Sequence, residues 1–255
     1  SWLCRCLKVV SSNLKRRSMK CGRGLWCVSV SDCQEGDYKL LIFDWDGTLA
    51  DSVGRIVEAM HVASTRSSLP LCSDEAVKGI IGLGLPEAIR TLYPQIGDVE
   101  LLAFRQHYAD HYIALEAEPS PLFAGVVESL EGFRRDGYHL AVATGKARRG
   151  LDRVLKAHGW EDFFDISRAA DETASKPHPL MLEEILAHCR VPAGQALMVG
   201  DSSFDLLMAR NAGMDSVAVS YGAQSVEALR TFEPRWVIDR FCELRDWLGQ
   251  GAPIK

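Results

Sequence analysis

No stretch of this 255-residue chain is apolar for long enough to span a bilayer, so no membrane partner is expected. The sequence also lacks a CxxC pair. Five of its eight cysteines (Cys4, Cys6, Cys21, Cys27, Cys33) crowd the start with no histidine nearby, which argues against a zinc site and against a disulfide framework. Cys72, Cys189 and Cys242 stand singly among apolar residues, as in proteins of reducing compartments. Acidic residues are missing from positions 1–31, which hold seven Lys or Arg (Arg5, Lys8, Lys15, Arg16, Arg17, Lys20, Arg23). The net charge is −5, so the rest of the chain carries about −12 once those seven positive charges are set aside. A body that acidic repels phosphate backbones, and no nucleic-acid partner is expected.

Residues 1–37 also lack hydrophobic periodicity. They are expected to be an N-terminal extension outside the fold, disordered or extraneous. Their basic, Ser-containing composition superficially matches an organelle-targeting peptide, and without such a role the protein is expected in the cytoplasm.

What the chain does have begins at Lys39 with KLLIFDWDGTLADS. A short apolar run closed by turn residues reads as a buried parallel strand. Asp44 and Asp46 stand at its carboxyl end, where open α/β sheets bind ligands. Residues two apart in a strand point the same way, so the two carboxylates are placed to share a site. Like charges that close need a cation or a shared proton, and Mg²⁺ is the natural partner for oxygen donors.

Residues 51–118 read as all-helical. Ser52 is placed to cap a helix with Ile56, Val57, Met60 and Ala63 on one face. Short helices are expected from Ser73 and over Pro86–Tyr93, and a longer one from Asp98. GIIGLG, Gly79–Gly84, follows no strand and reads as a helix–helix turn, not a phosphate loop. From Pro119 onward, strands and helices alternate. Strands are expected over Tyr138–Ala143, Phe163–Ile166, Ala196–Gly200, Val217–Ser220 and Trp236–Ile238. Helices are expected over 124–135, 147–158, Pro177–Cys189 and Ser203–Asn211. The pattern predicts an α/β fold: a Rossmann-like parallel-sheet core with helices on both faces (38–50 and 119–250), interrupted by an all-helical insertion (51–118). Polar residues follow three of the strands: Asp44 with Asp46, Thr144 with Gly145, and Asp201 with Asp205. Each has an ordinary alternative. Thr144 or Asp201 also suits a helix cap, and Lys176 in SKPHP also suits a solvated loop.

The four segments DWDGTLADS, ATGK, SKPHP and GDSSFD, in that order, resemble the haloacid dehalogenase superfamily of phosphohydrolases over about residues 39–240. The likeness is nearest to phosphoglycolate-phosphatase-like members, which carry a helical cap where 51–118 stands. The resemblance implies a Mg²⁺-dependent phosphomonoester hydrolase acting on a small phosphorylated metabolite. It makes Asp44 the nucleophile that forms an aspartyl-phosphate, and Asp46 the proton donor and acceptor. It places Mg²⁺ on the carboxylates of Asp44 and Asp201 and the backbone carbonyl of Asp46. Asp205 falls in the outer shell of the metal or orients Lys176, Thr144 and the Gly145 N–H fall on phosphate oxygens, and Lys176 on the charge of the transition state. The same set would serve a phosphomutase, and the same scaffold a non-catalytic binding protein. Asp46 itself argues for oxygen leaving groups, because phosphonate-cleaving and dehalogenating relatives lack this second acid. Arg55, Lys78 and Arg90 are weak candidates for specificity, and His178 is set aside as a solvated residue at a helix start.

Overall fold

The apolar run at 40–43 becomes β1 (Leu40–Phe43), the middle of the sheet, with every residue buried. The computed structural model describes residues 38–249, so the expectations for 1–37 and for residue 250 lie outside the described residues. Six strands form one sheet in the order β3-β2-β1-β4-β5-β6. They are β1, β2 (His139–Thr144), β3 (Ile166–Ala169), β4 (Ala196–Gly200), β5 (Asp215–Val219) and β6 (Trp236–Ile238), all paired in parallel. This is the α/β architecture expected from the alternation of strands and helices.

Alternation along β1 feeds two separate cores, because successive side chains of a strand face opposite ways. Leu41 and Phe43 pack with Leu130 and Phe133 of α5 (Val126–Arg135), Leu151 of α6 (Arg148–Ala157) and Trp247 of α10 (Glu243–Gly249). Leu40 and Ile42 pack with Met181 and Ile185 of α7 (Leu180–Cys189) and Met208 of α8 (Ser203–Asn211). A sheet covered on both faces explains why its strands read as nearly unbroken apolar runs.

Between β1 and α5 lie only helices: α1 (Val53–Arg66), α2 (Asp74–Lys78), α3 (Leu85–Leu92) and α4 (Asp98–Leu115). They enclose an apolar core of their own around Met60, Ile89 and Phe104. The chain enters and leaves this insertion through two segments that run side by side. Asp51 N–H donates to the Pro121 carbonyl at 2.9 Å, and Phe123 N–H donates to the Leu49 carbonyl at 3.0 Å. No helix among the described residues is long and apolar enough to cross a membrane.

Several elements differ from expectation. β3 begins at Ile166, because Phe163 and Phe164 pack around Trp160 in an aromatic cluster that precedes the strand. α7 begins at Leu180, three residues later than expected, after the turn that presents Lys176. The short helices α9 (Val226–Arg230) and α10 were not foreseen.

Phe133 is fully buried and stacks on Phe43 with ring centroids 6.4 Å apart. Phe133→Ala is expected to cost about 3–5 kcal/mol. Urea unfolding followed by circular dichroism should show a lower midpoint with an unchanged slope. A loss under about 1 kcal/mol would contradict the packing described for this face.

Candidate active site

The strand order reverses direction at β1, with β2 and β3 on one side and β4 to β6 on the other. Such a switch point opens a crevice at the carboxyl ends of the strands. Asp44 follows β1 there, its N–H still bonded to the Val199 carbonyl of β4 at 3.0 Å. Asp201 follows β4, and Asp205 lies in the first turn of α8. One carboxylate oxygen from each of the three comes within 4.8 Å of the others, and all three residues are buried.

Lys176 holds this cluster together. Its Nζ lies 2.9 Å from Asp44 Oδ1 and 2.6 Å from Asp205 Oδ1. The other oxygen of Asp205 accepts from Ser202 Oγ at 2.7 Å and Ser202 N–H at 3.1 Å. Asp201 Oδ1 accepts from Thr48 Oγ1 at 3.2 Å, and its Oδ2 accepts from Ala223 N–H at 2.7 Å. Asp44 Oδ1 also accepts the Trp45 N–H at 2.7 Å. Asp44 Oδ2, also buried, has no partner. Three buried carboxylates against one ammonium leave the cluster short of positive charge, and the hard oxygen donors of Asp44 and Asp201 fit a small divalent cation. Asp205 is tied to Lys176 at one oxygen and to Ser202 at the other.

Glycine surrounds the acids because nothing larger fits. A Cβ on Gly47, whose φ is +77°, would come 2.1 Å from Asp201 Oδ2. One on Gly222 would come 2.2 Å from Asp201 Cβ.

Burial pushes the Asp44 carboxyl up to about 7, against the pull of Lys176, with Asp205 and Asp46 adding repulsion. Asp201 is raised well above the usual carboxylate range by burial, then by Asp44 and Asp205. Burial alone would lower Lys176, but Asp205 and Asp44 outweigh it and raise the ammonium.

Asp46 is set apart from this cluster. Its Oδ1 accepts from Ser52 Oγ at 2.7 Å and from Lys146 Nζ at 3.0 Å. Ser52 stands at the start of α1 but makes no capping bond with its side chain, because that hydroxyl serves Asp46. Lys146 also donates to Tyr112 Oη of α4 at 3.1 Å, tying the sheet edge to the insertion. Burial lowers the Lys146 ammonium, while Asp46 and the tyrosines raise it further, for a net rise. A cavity of about 250 Å³ lies here, with Asp44, Asp46, Gly145 and Lys146 on the sheet side and helices of the insertion opposite.

Asp44, Lys176, Asp201 and Asp205 therefore meet directly, and Asp46 and Gly145 share the cavity with Asp44. Thr144 ends β2 fully buried, and its hydroxyl accepts the Lys146 N–H at 3.2 Å. The GIIGLG segment is a turn between α2 and α3, yet it presses on the site. A Cβ on Gly145 would meet the carbonyl oxygens of Leu83 at 2.6 Å and Gly82 at 2.7 Å. The cationic candidates from the insertion lie elsewhere. Arg55 donates to the carbonyls of Leu115 and Glu118 at the exit of the insertion, and Arg90 pairs with Asp98. Lys78 is not among the residues lining the cavity. His178 is exposed and accepts the Leu180 N–H at 3.2 Å. Trp45 turns away from the acids and packs edge-on against Trp160. Sequence reasoning missed Lys146, Thr48 and Ser52 as site groups. All three lie inside or beside the quoted motifs, which was the available signal.

The fold is thus a parallel α/β sheet with acids clustered at its switch point, under a helical insertion. The family model for haloacid dehalogenase-like hydrolases matches residues 41–219. The chain belongs to that family and is an enzyme of its phosphatase type. It is 36% identical over 209 residues to the probable phosphatase IndB of Dickeya dadantii, covering 80% of this chain and 91% of that one. It is 31% identical over 218 residues to a phosphoglycolate phosphatase of Vibrio vulnificus, covering 82% and 96%. A crystal structure of a predicted phosphoglycolate phosphatase from Haemophilus somnus superposes with a TM-score of 0.71 at 27% identity, covering 82% and 97%. The insertion between β1 and β2 is the cap of this family's fold.

The titration of the acid cluster gives the cation fit a test. Without a cation, folded Asp44 and Asp201 hold protons that the unfolded chain releases from its ordinary pKa upward. For Asp44 this part of the stability is present below about pH 4 and is lost as pH rises toward 7, and the raised Asp201 carboxyl acts in the same direction. A cation at the cluster removes that loss. Millimolar Mg²⁺ is therefore expected to raise the melting temperature more at pH 7.5 than at pH 5. Equal shifts at both pH values, or none, would contradict a cation site at these acids.

Proposed function

We infer that the protein is a Mg²⁺-dependent phosphomonoester hydrolase that acts on a small phosphorylated metabolite through a phosphorylated Asp44. The observation that carries this reading is the unequal state of the carboxylates. Asp201 and Asp205 are engaged at both oxygens, whereas Asp44 lines the cavity with Oδ2 unpartnered. A nucleophile needs a free oxygen held in place, and Lys176 and the Trp45 N–H hold the other one.

Asp44, Asp201 and the Asp46 carbonyl would hold Mg²⁺, which would supply positive charge to offset the repulsion between carboxylate and phosphate. The steps belong to the chain's own residues. An oxygen of Asp44 attacks phosphorus, and the bond from phosphorus to the ester oxygen breaks. Asp46 gives that oxygen a proton, and the alcohol leaves. Asp46 then takes a proton from water, whose oxygen attacks the aspartyl-phosphate. Inorganic phosphate departs and Asp44 is restored. Thr144 and the Gly145 N–H hold the oxygens of the transferring phosphoryl group, and Lys176 balances their charge. Lys146 and Ser52 bind the same oxygen of Asp46, which orients the other for proton transfer. Residues 51–118 act as a cap that excludes bulk water from 38–50 and 119–250, the catalytic core.

Steady-state phosphate release with saturating Mg²⁺ tests these roles. Asp44→Asn is expected to fall to background with an unchanged circular dichroism spectrum. Asp46→Asn should lose about 10²–10⁴-fold in kcat. Lys146→Met should lose about 10–100-fold, because Asp46 is then held less firmly. Wild-type turnover by folded Asp44→Asn would exclude it as nucleophile.

A further inference from the structure

The cavity beyond the acids carries information about the part of the substrate that is not phosphate. On the cap side it is lined by Met60, Ile81, Leu83, Tyr108, Tyr112 and Ile113. Tyr108 and Tyr112 stack with centroids 5.6 Å apart and form an aromatic wall. No acid and no cation of the cap lines this space. The three cations on its wall come from the sheet edge and α6. Lys146 is spent on Asp46 at 3.0 Å. Arg153 is held by Glu116 at 2.9 Å. Arg149 is exposed at the rim. A carboxylate carried on the alcohol would lose its water inside this cavity and find every interior cation already paired.

We propose that the substrate is the phosphate monoester of a compact, uncharged alcohol with an apolar body about the size of one aromatic ring, seated against the tyrosines and aliphatic residues of the cap. This rests on the phosphatase reading above and narrows it. The size follows from the volume. An apolar cavity of about 150 Å³ takes up benzene, so about 250 Å³ holds one ring and the phosphate. The gain follows from burial, since each methylene taken from water is worth roughly a fourfold increase in kcat/KM. The likeness to phosphoglycolate phosphatases is a likeness of scaffold, and this wall is where the chain suits a different alcohol.

Three esters of primary alcohols test the proposal with similar leaving groups: benzyl phosphate, ethyl phosphate and 2-phosphoglycolate. Phosphate release by the full chain with saturating Mg²⁺ is expected to give a kcat/KM at least about tenfold higher for benzyl phosphate than for either of the others. The variant Ile113→Lys places a cation at a half-exposed position of the wall, where the fold tolerates it. It should lower the ratio of benzyl phosphate to 2-phosphoglycolate by about tenfold or more. Good turnover of 2-phosphoglycolate with poor turnover of benzyl phosphate would overturn this inference and leave the phosphatase reading standing. A ratio unmoved by Ile113→Lys would also overturn it. Release from none of the three esters would overturn both readings together.

Discussion

Three carboxylates, with oxygens within 4.8 Å of one another, and one ammonium are buried at the carboxyl edge of this sheet, and the surrounding structure is arranged to keep them there. Asp44, Asp201 and Asp205 repel one another in a medium that screens poorly, and Lys176 alone stands between two of them. Such a cluster persists only where rigid elements over-determine it. Two adjacent parallel strands fix Asp44 and Asp201, and the first turn of α8 fixes Asp205. Backbone closes in so tightly that Gly47, Gly200 and Gly222 have no room for a Cβ beside these acids. The cluster is short of positive charge as it stands, and its one orphaned oxygen belongs to Asp44. The group least satisfied by the fold is thus the one that the proposed mechanism makes the nucleophile.

The cap is joined to this edge by more than the two segments that enter and leave it. Lys146 links Asp46 of the sheet edge to Tyr112 of α4. The Gly84 N–H of the cap donates to Ser175 Oγ, next to Lys176. The sheet edge and the cap thus touch through a few side chains. Lys146 and Tyr112 also line the cavity, so the same contacts shape it.

Much of this was legible in the sequence. The sheet was readable because a strand buried on both faces leaves a short apolar run, as at Leu40–Phe43 and Ala196–Gly200. The acids were readable because they follow those runs directly. Phe163 and Phe164 misled because aromatic residues favour strands, and only tertiary contact with Trp160 shows them in a cluster outside the sheet. Ser52 misled because a serine before a helix reads as a cap, whereas here an unsatisfied carboxylate competes for its hydroxyl. The direction of the Lys146 side chain depends on Asp46, 100 positions away in sequence, and on Tyr112, 34 positions away, and no local pattern encodes that. The glycines of GIIGLG read correctly as a turn, but nothing local showed that the turn would lean on Gly145.

The central claim is that Asp44 itself carries the phosphoryl group during turnover. Quenching the enzyme during turnover and reducing it with borohydride tests this, since an acyl phosphate is reduced to an alcohol and a free carboxylate is not. Mass spectrometry of the peptide spanning residues 40–55 is predicted to show Asp44 converted to homoserine in a substrate-dependent manner. Reduction at any other acid, or an unmodified Asp44 under conditions of active turnover, would contradict the account.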